Sequence, residues 1–166
     1  MTYKPPFEQI VETHADTVLR VCRARLDSWA DAEDAWSDTF LAAMRAYPDL
    51  PADANVQAWL VTIAHRKSID VVRAAARRGI PVENVPEATP IGQDDAAEVW
   101  QAVAALPNKQ RLVVAYHYFG GLPYKEVADI VGGTAAAARR AAADGLSSLR
   151  VALTEPAIVD QEGVAR

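Results

Sequence analysis

Apolar residues recur three or four positions apart along most of this 166-residue chain. This spacing places them on one face of an α-helix, whereas a half-buried β-strand would need strict alternation. No run of alternating β-branched residues interrupts the pattern. No stretch approaches the roughly 18 to 20 consecutive apolar residues that would span a bilayer. The sequence therefore predicts an all-α protein with no transmembrane segment.

The helical pattern breaks between positions 79 and 95, where three prolines and two glycines occur without a single base. Such a composition is typical of a solvated linker. We therefore predict two small helical domains, over residues 1–78 and 96–151, joined by a linker at 79–95 and followed by a tail at 152–166. The net charge of -5 means that any surface for nucleic acid must be local.

Three helices are predicted in the N-terminal half. The first covers about residues 5–26, and the second starts at Asp31, whose side chain can cap it. A loop at 48–54 leads to Asn55, which is a good cap for a third helix that ends near residue 78. The second helix is expected to bury one stripe of large side chains: Trp36, Phe40, Met44 and Tyr47.

The second and third helices of the N-terminal half each carry a row of charged residues. Asp31, Asp34 and Asp38 form an acidic ridge, which suits a basic partner better than acid–base chemistry because no histidine accompanies it. The third helix carries a basic stripe with an aromatic residue before it, and such pairs suit unstacked bases. The stripe consists of Arg66, Arg73 and Arg77; Lys67 lies beside it, and Trp59 is the aromatic residue before it. Trp59 could equally be a core residue.

A helix-turn-helix pattern occupies the C-terminal half. The first helix is predicted at 123–131, and two glycines then make the turn before Thr134 caps a second helix that ends near residue 150. We expect Ala138, Ala142, Leu146 and Leu149 to be buried. Arg140 then lies on the opposite face with Arg139 and Arg150 on its flank, and this face could enter a major groove. The alternative is a helical hairpin with solvent-facing arginines.

Several kinds of site are excluded by residue type and spacing. The single cysteine, Cys22, excludes a disulfide framework and favours a reducing cytoplasm. The three histidines, His14, His65 and His117, are not at metal-ligand spacing, and His14 lies on an apolar stripe that indicates a core position. No Gly-rich phosphate loop or nucleophile elbow is present. We predict no catalytic activity, no metal and no cofactor.

Four motifs occur in order along the chain, and they resemble regions of the sigma-70 factors of the extracytoplasmic function (ECF) class. Residues 31–41 resemble region 2.2, and residues 58–73 resemble regions 2.3 and 2.4. Residues 106–111 and 118–132 resemble region 4. The resemblance covers about residues 7–150. It implies a cytoplasmic, dissociable subunit of bacterial RNA polymerase that directs promoter recognition and performs no bond chemistry. The implied partners are the polymerase core, through its clamp helices and flap, promoter DNA and an anti-sigma factor.

The resemblance also implies roles for individual residues. The polymerase clamp helices would contact Asp31, Asp34, Ser37 and Asp38. The loop at 48–56 would capture a flipped base of the -10 element, and the melted strand would lie along Asn55, Trp59, His65, Arg66, Lys67, Arg73 and Arg77. The -35 element would contact Lys125, Thr134, Arg139, Arg140 and Arg150. Because Arg140 lies nearest the centre of the exposed face, we predict that it reads a base edge and that Arg139 and Arg150 hold phosphate.

The chain departs from the family pattern at several positions. Ser37 stands where the family usually has Gln, and Ala141 and Asp144 occupy the usual basic positions of the recognition helix. Gly145 lowers the stability of that helix by about 1 kcal/mol relative to alanine. The departure at Ser37 implies a weaker contact with the clamp helices. The departures in the recognition helix imply that -35 recognition is weak, unusual or directed elsewhere. A competing interpretation is a transcriptional regulator of the response-regulator type, but residues 1–80 lack the receiver or ligand-binding pattern that it would need.

Overall fold

The computed structural model of the chain describes residues 3–78 and 96–154. These residues form seven α-helices and no strand, which confirms the all-α prediction. The predicted linker and residues 155–166 of the predicted tail lie outside the described residues. None of the described helices is long and apolar enough to cross a bilayer. The helices are α1 (Phe7–Arg25), α2 (Trp29–Ala46), α3 (Val56–Arg77), α4 (Ala97–Ala104), α5 (Asn108–Val114), α6 (Tyr124–Val131) and α7 (Ala135–Thr154).

The first three helices pack on one another as a bundle. Asn55 caps α3 as predicted, because its side-chain oxygen accepts a hydrogen bond from the Ala58 N–H at 3.1 Å. The predicted cap of α2 is wrong. Ser28 caps this helix by accepting from the Asp31 N–H at 3.0 Å, and Asp31 lies in the first turn. An acidic residue there interacts favourably with the helix dipole, so its position is still consistent with its charge.

The buried face of α2 differs from the predicted stripe. Phe40 and Tyr47 are buried, but Met44 is 51% exposed, so its assignment to the core is wrong. Trp36 is half-buried, and its indole N–H donates to the Ala15 carbonyl at 3.0 Å. The fully buried positions of α2 are mostly small: Ala32, Ala35, Thr39 and Ala43. Small side chains let α2 approach its neighbours closely on this side, and Met44 lies on a different side of the helix, which faces solvent.

The C-terminal half is organised around α7, which packs on α4, α5 and α6. Thr134 caps α7 as predicted by accepting from the Ala137 N–H at 3.1 Å, and Gly132 in the turn has a φ of 91°. Ala138, Ala142 and Leu149 are buried as expected, whereas Leu146 is half-buried. The helix continues to Thr154, four residues beyond its predicted end.

Gly145 shows why a glycine lies inside a helix. A Cβ built on it would meet the Cγ2 of Val114 at 2.8 Å, which is closer than such atoms normally approach. The residue therefore permits close packing of α7 on α5, which offsets its low helix propensity.

Candidate polymerase and nucleic-acid interfaces

One exposed face of α2 combines acidic and apolar side chains. Asp34, Ser37 and Asp38 are exposed, and Asp31 is half-buried at the start of the helix. Further along the same face, Leu41 and Met44 are 49% and 51% exposed. The two apolar residues follow Ser37 by four and seven positions, so they share its side of the helix. We call Asp34, Ser37, Asp38, Leu41 and Met44 the α2 face.

The apolar part of this face was not predicted from the sequence. Met44 was expected in the core, and Leu41 had no predicted role. The available signal was the row of alanines at 32, 35 and 43, which marks the side of α2 that packs most closely. Exposed apolar residues next to charged ones are typical of protein interaction surfaces.

The basic stripe of α3 is exposed along its length. Arg66, Arg73 and Arg77 are all exposed, and Lys67 is half-buried. Trp59 is half-buried and packs on the core, with its ring centroid 6.4 Å from that of Tyr47. The structure therefore favours a core position for Trp59 over an open aromatic platform.

Two residues assigned to the -10 element lie against the C-terminal half. The Asn55 side-chain amide donates to the Glu126 carboxylate at 3.2 Å. The Nδ1 atom of His65 forms a hydrogen bond with the hydroxyl of Tyr116, a residue with no exposed surface. Between these two contacts, Gln57 donates to the Gly120 carbonyl. The described structure is thus a closed arrangement, in which the N-terminal end of α3 faces the helix-turn-helix half.

The protonation states at this contact follow from its surroundings. Burial, followed by the charges of Arg25 and Arg66, lowers the pKa of His65 below 6.5. Burial raises the pKa of Tyr116 well above its usual value of 10, with Arg25 as a weaker opposing influence. Both groups are therefore neutral near pH 7. Since His65 is neutral, its Nδ1 can accept the hydrogen bond that the tyrosine hydroxyl donates.

Arg111 forms a further contact between the halves. It is the last residue of the 106–111 motif, but the sequence predicted no structural role for it. Its Nε donates to the Ala24 carbonyl at 2.7 Å, and its Nη1 lies 2.9 Å from a carboxylate oxygen of Asp27. Ala24 is in the last turn of α1, where carbonyls lack partners within the helix. Arg111 therefore stabilises the C-terminal end of α1 from the other half of the chain.

The helix-turn-helix presents the predicted basic residues on its surface. Lys125, Arg139, Arg140 and Arg150 are exposed, as is the cap Thr134. Arg139 differs from the other two arginines, because its guanidinium carbon lies 5.4 Å from the ring centroid of Tyr124 in α6.

The described residues contain no group of three or more His, Cys, Asp or Glu side chains that could hold a metal ion. Cys22 is buried, and burial raises the pKa of its thiol to about 12. Burial also lowers the pKa of His14, which lies half-buried on α1. This environment fits the packing role predicted for His14.

Two protein families match the chain in succession. Sigma-70 region 2 matches residues 10–78, and sigma-70 region 4 matches residues 96–149. The ECF RNA polymerase sigma factor SigK of Mycobacterium tuberculosis is 31% identical over 110 residues, which are 60% of this chain and 59% of SigK. The ECF RNA polymerase sigma factor BldN of Streptomyces coelicolor is 31% identical over 137 residues, which are 76% of this chain and 52% of BldN. The chain thus spans between half and three fifths of these relatives.

Solved structures show the same fold. CnrH in complex with the cytosolic domain of CnrY has a TM-score of 0.66 and 25% identity, covering 89% of this chain and 86% of that chain. The sigma factor RpoE of Bartonella quintana, in complex with the anti-sigma factor NepR, has a TM-score of 0.76 and 21% identity, covering 89% of this chain and 96% of that chain. The two region matches and the ECF relatives establish that the chain belongs to the sigma-70 family, in the ECF class.

Proposed function

We propose that this protein is an RNA polymerase sigma factor that binds core polymerase and directs promoter recognition and transcription initiation. It acts in the cytoplasm and catalyses no reaction itself. The observation that carries the proposal is the succession of a region 2 match and a region 4 match on two helical units with exposed basic surfaces. We place the region 2-like domain at 1–78 and the region 4-like domain at 96–151.

The α2 face is the surface that we assign to the polymerase. Asp34 and Asp38 supply negative charge, and Leu41 and Met44 supply apolar area that water solvates poorly. Complementary charge speeds association and selects the partner, while burial of apolar area adds affinity. A basic and apolar helical surface on the polymerase, such as its clamp helices, would match both properties.

Promoter DNA is assigned to the two basic surfaces. The Arg66, Arg73 and Arg77 stripe would hold the melted strand of the -10 element, and α7 would enter the major groove at the -35 element. The roles proposed for Asn55 and His65 at the -10 element require the closed arrangement to open, because both now contact the C-terminal half.

A regulator of the response-regulator type is not favoured. Such a protein also uses a helix-turn-helix, but it would carry a receiver or ligand-binding domain in place of the region 2 match at 10–78.

The proposal is tested by reconstitution with sigma-free core polymerase, followed by transcription from genomic DNA and mapping of start sites. Discrete start sites that depend on the protein are expected. A protein that binds DNA but never directs core polymerase to start sites would contradict the proposal and support the regulator.

Docking through the α2 face is tested by charge reversal at Asp34 and Asp38. The double variant Asp34→Lys/Asp38→Lys should bind core polymerase more weakly in a pull-down, because it opposes a basic partner. A matched control is Glu12→Lys/Asp16→Lys, which reverses two exposed acids of α1 at the same spacing of four. Equal binding by both folded double variants would show that the α2 face does not dock the polymerase.

The basic stripe is tested by replacing all three arginines with alanine. Each lost phosphate contact to single-stranded DNA lowers the log–log salt slope by about 0.7, so the slope for open-complex formation should fall by about 2. Assembly with the core should persist. The control removes three exposed bases elsewhere: Arg20, Arg45 and Lys109. An unchanged slope in the Arg66/Arg73/Arg77 variant would remove the stripe from DNA binding.

A further inference from the structure

We propose that Tyr124 is a positioning residue that orients Arg139, and that Arg139 is thereby the arginine of α7 that selects a base at the promoter. This inference rests on the proposed function and deepens it. The sequence had favoured Arg140 for base reading, because Arg140 lies nearest the centre of the exposed face. The structure supplies a reason to exchange the two roles.

Tyr124 is the first residue of α6, and its ring packs against His117. It stacks on the imidazole of His117 with ring centroids 3.9 Å apart and an angle of 17° between the planes. His117 is in turn anchored by a hydrogen bond of 2.7 Å between its Nδ1 and the carbonyl oxygen of Leu122, a buried residue. Since a carbonyl only accepts, Nδ1 carries the proton, and this bond fixes the orientation of the imidazole.

A second aromatic side chain restrains the imidazole. The ring of Tyr118 meets the imidazole of His117 edge-on, with centroids 4.8 Å apart. Burial, followed by the neighbouring Tyr118, raises the pKa of Tyr124. Tyr118, His117 and Tyr124 therefore form an aromatic cluster whose members restrain one another, although Tyr118 itself is 46% exposed.

Arg139 lies over this cluster. Its guanidinium carbon is 5.4 Å from the Tyr124 centroid, within the distance at which a cation is attracted to an aromatic face. Arg140 and Arg150 have no aromatic partner of this kind in the described part of the chain. Arg139 thus has a preferred head-group position before DNA arrives, whereas the other two side chains are free to move in solvent.

This difference matters because base reading and phosphate binding make different demands. Two hydrogen bonds to one guanine edge require a guanidinium held at a defined position. A cation–π contact holds the guanidinium through its charge and uses none of its N–H groups as hydrogen-bond donors. A phosphate accepts hydrogen bonds from many directions, so a mobile arginine is sufficient. The recognition helix reads bases with its N-terminal part, and Arg139 is the fifth residue of α7.

The test is a promoter-library readout with reconstituted holoenzyme. Arg139→Ala should relax the preference at one promoter position by roughly 5- to 150-fold. Tyr124→Leu should relax the same position by a smaller factor and add little to Arg139→Ala in the double variant. Tyr124→Phe keeps the ring and should retain wild-type specificity. Arg140→Ala should reduce transcription evenly across the library.

Three results would overturn the inference. In the first, Arg140→Ala relaxes the preference at a single promoter position while Arg139→Ala lowers transcription evenly across the library. In the second, Tyr124→Leu lowers transcription evenly or has no effect. In the third, Tyr124→Phe loses specificity as Tyr124→Leu does. Folding is checked independently by NMR of the full chain. The Arg139 Nε–H resonance should carry a ring-current shift in wild type and Tyr124→Phe and lose it in Tyr124→Leu. If the wild-type holoenzyme starts transcription at no promoter, the proposed function itself is wrong. That outcome is distinct from the three results above, which concern only Tyr124 and the arginines of α7.

Discussion

Replacing Arg111 with alanine should destabilise the chain far more than replacing its ion-pair partner Asp27. The two side chains form the same ion pair, so a view based on the pair alone predicts similar losses. The structure predicts unequal losses, because Arg111 is buried and also bonds the Ala24 carbonyl, whereas the Asp27 side chain is 72% exposed.

The magnitudes follow from these environments. A buried hydrogen bond from a charged donor contributes about 1.5–3 kcal/mol, and its loss leaves the buried Ala24 carbonyl without this donor. The exposed end of the ion pair adds at most about 1 kcal/mol, because water screens it. Arg111→Ala should therefore lower the free energy of unfolding by about 2–4 kcal/mol, and Asp27→Ala by less than about 1 kcal/mol.

Thermal and urea unfolding followed by circular dichroism measure both losses. For a chain of this length, 1 kcal/mol corresponds to about 2–4 °C in Tm, so a loss near 3 kcal/mol lowers Tm by about 6–12 °C. Lys109→Ala, which removes an exposed base of the same helix, is the control and should have little effect. Arg111→Lys keeps the charge but not the planar head group, and it should fall between wild type and Arg111→Ala.

Equal destabilisation by Asp27→Ala and Arg111→Ala would refute the reasoning, since it would place the energy in the exposed ion pair. A loss below about 1 kcal/mol for Arg111→Ala would refute it in another way. It would mean that the contact between Arg111 and the end of α1 contributes little in solution, despite its burial.

Three further predictions follow from individual side chains. Burial lowers the pKa of both His14 and His65 below 6.5, so the unfolded chain binds protons below this pH that the folded chain does not bind. The free energy of unfolding measured in urea should therefore fall as the pH drops below about 6.5, and the fall should be smaller in His65→Asn. Gly145→Ala gains about 1 kcal/mol of helix propensity but forces a contact with Val114 that costs about 1–3 kcal/mol, so denaturant unfolding should show a net loss of up to about 2 kcal/mol; a more stable variant would contradict this packing. Cys22, with its pKa near 12, should resist iodoacetamide in the native chain and react only in denaturant, as mass spectrometry can show.

Local sequence signals predicted the helices and most of their caps. Asn55 and Thr134 cap their helices as expected, because a cap depends on the residue itself and the next three N–H groups. The same locality explains the error at α2. Ser28 and Asp31 are both good caps three residues apart, and sequence alone does not decide which one begins the helix.

Features that depend on packing between distant segments could not be predicted. Asp27 and Arg111 are 84 residues apart, and Asn55 and Glu126 are 71 apart, so no local pattern links either pair. The exposure of Met44 has a similar origin, because the neighbours of α2 determine which of its faces is buried. The cation–π contact of Arg139 with Tyr124 likewise depends on the approach of α6 to α7, and the spacing of arginines along α7 does not reveal it.

The closed arrangement limits how the proposed sigma factor can work. Elements centred near -10 and -35 are about 25 base pairs apart, or about 85 Å at about 3.4 Å per base pair. A compact chain of this length is only about 40 Å across. The two halves must therefore separate when both elements are bound, and the contacts of Arg111 and His65 with the opposite half are lost. Polymerase binding has to supply that energy, so Arg111→Ala should destabilise the free chain while binding core polymerase at least as tightly as wild type in a titration. Weaker binding by a folded Arg111→Ala variant would mean that the closed contact persists in the holoenzyme.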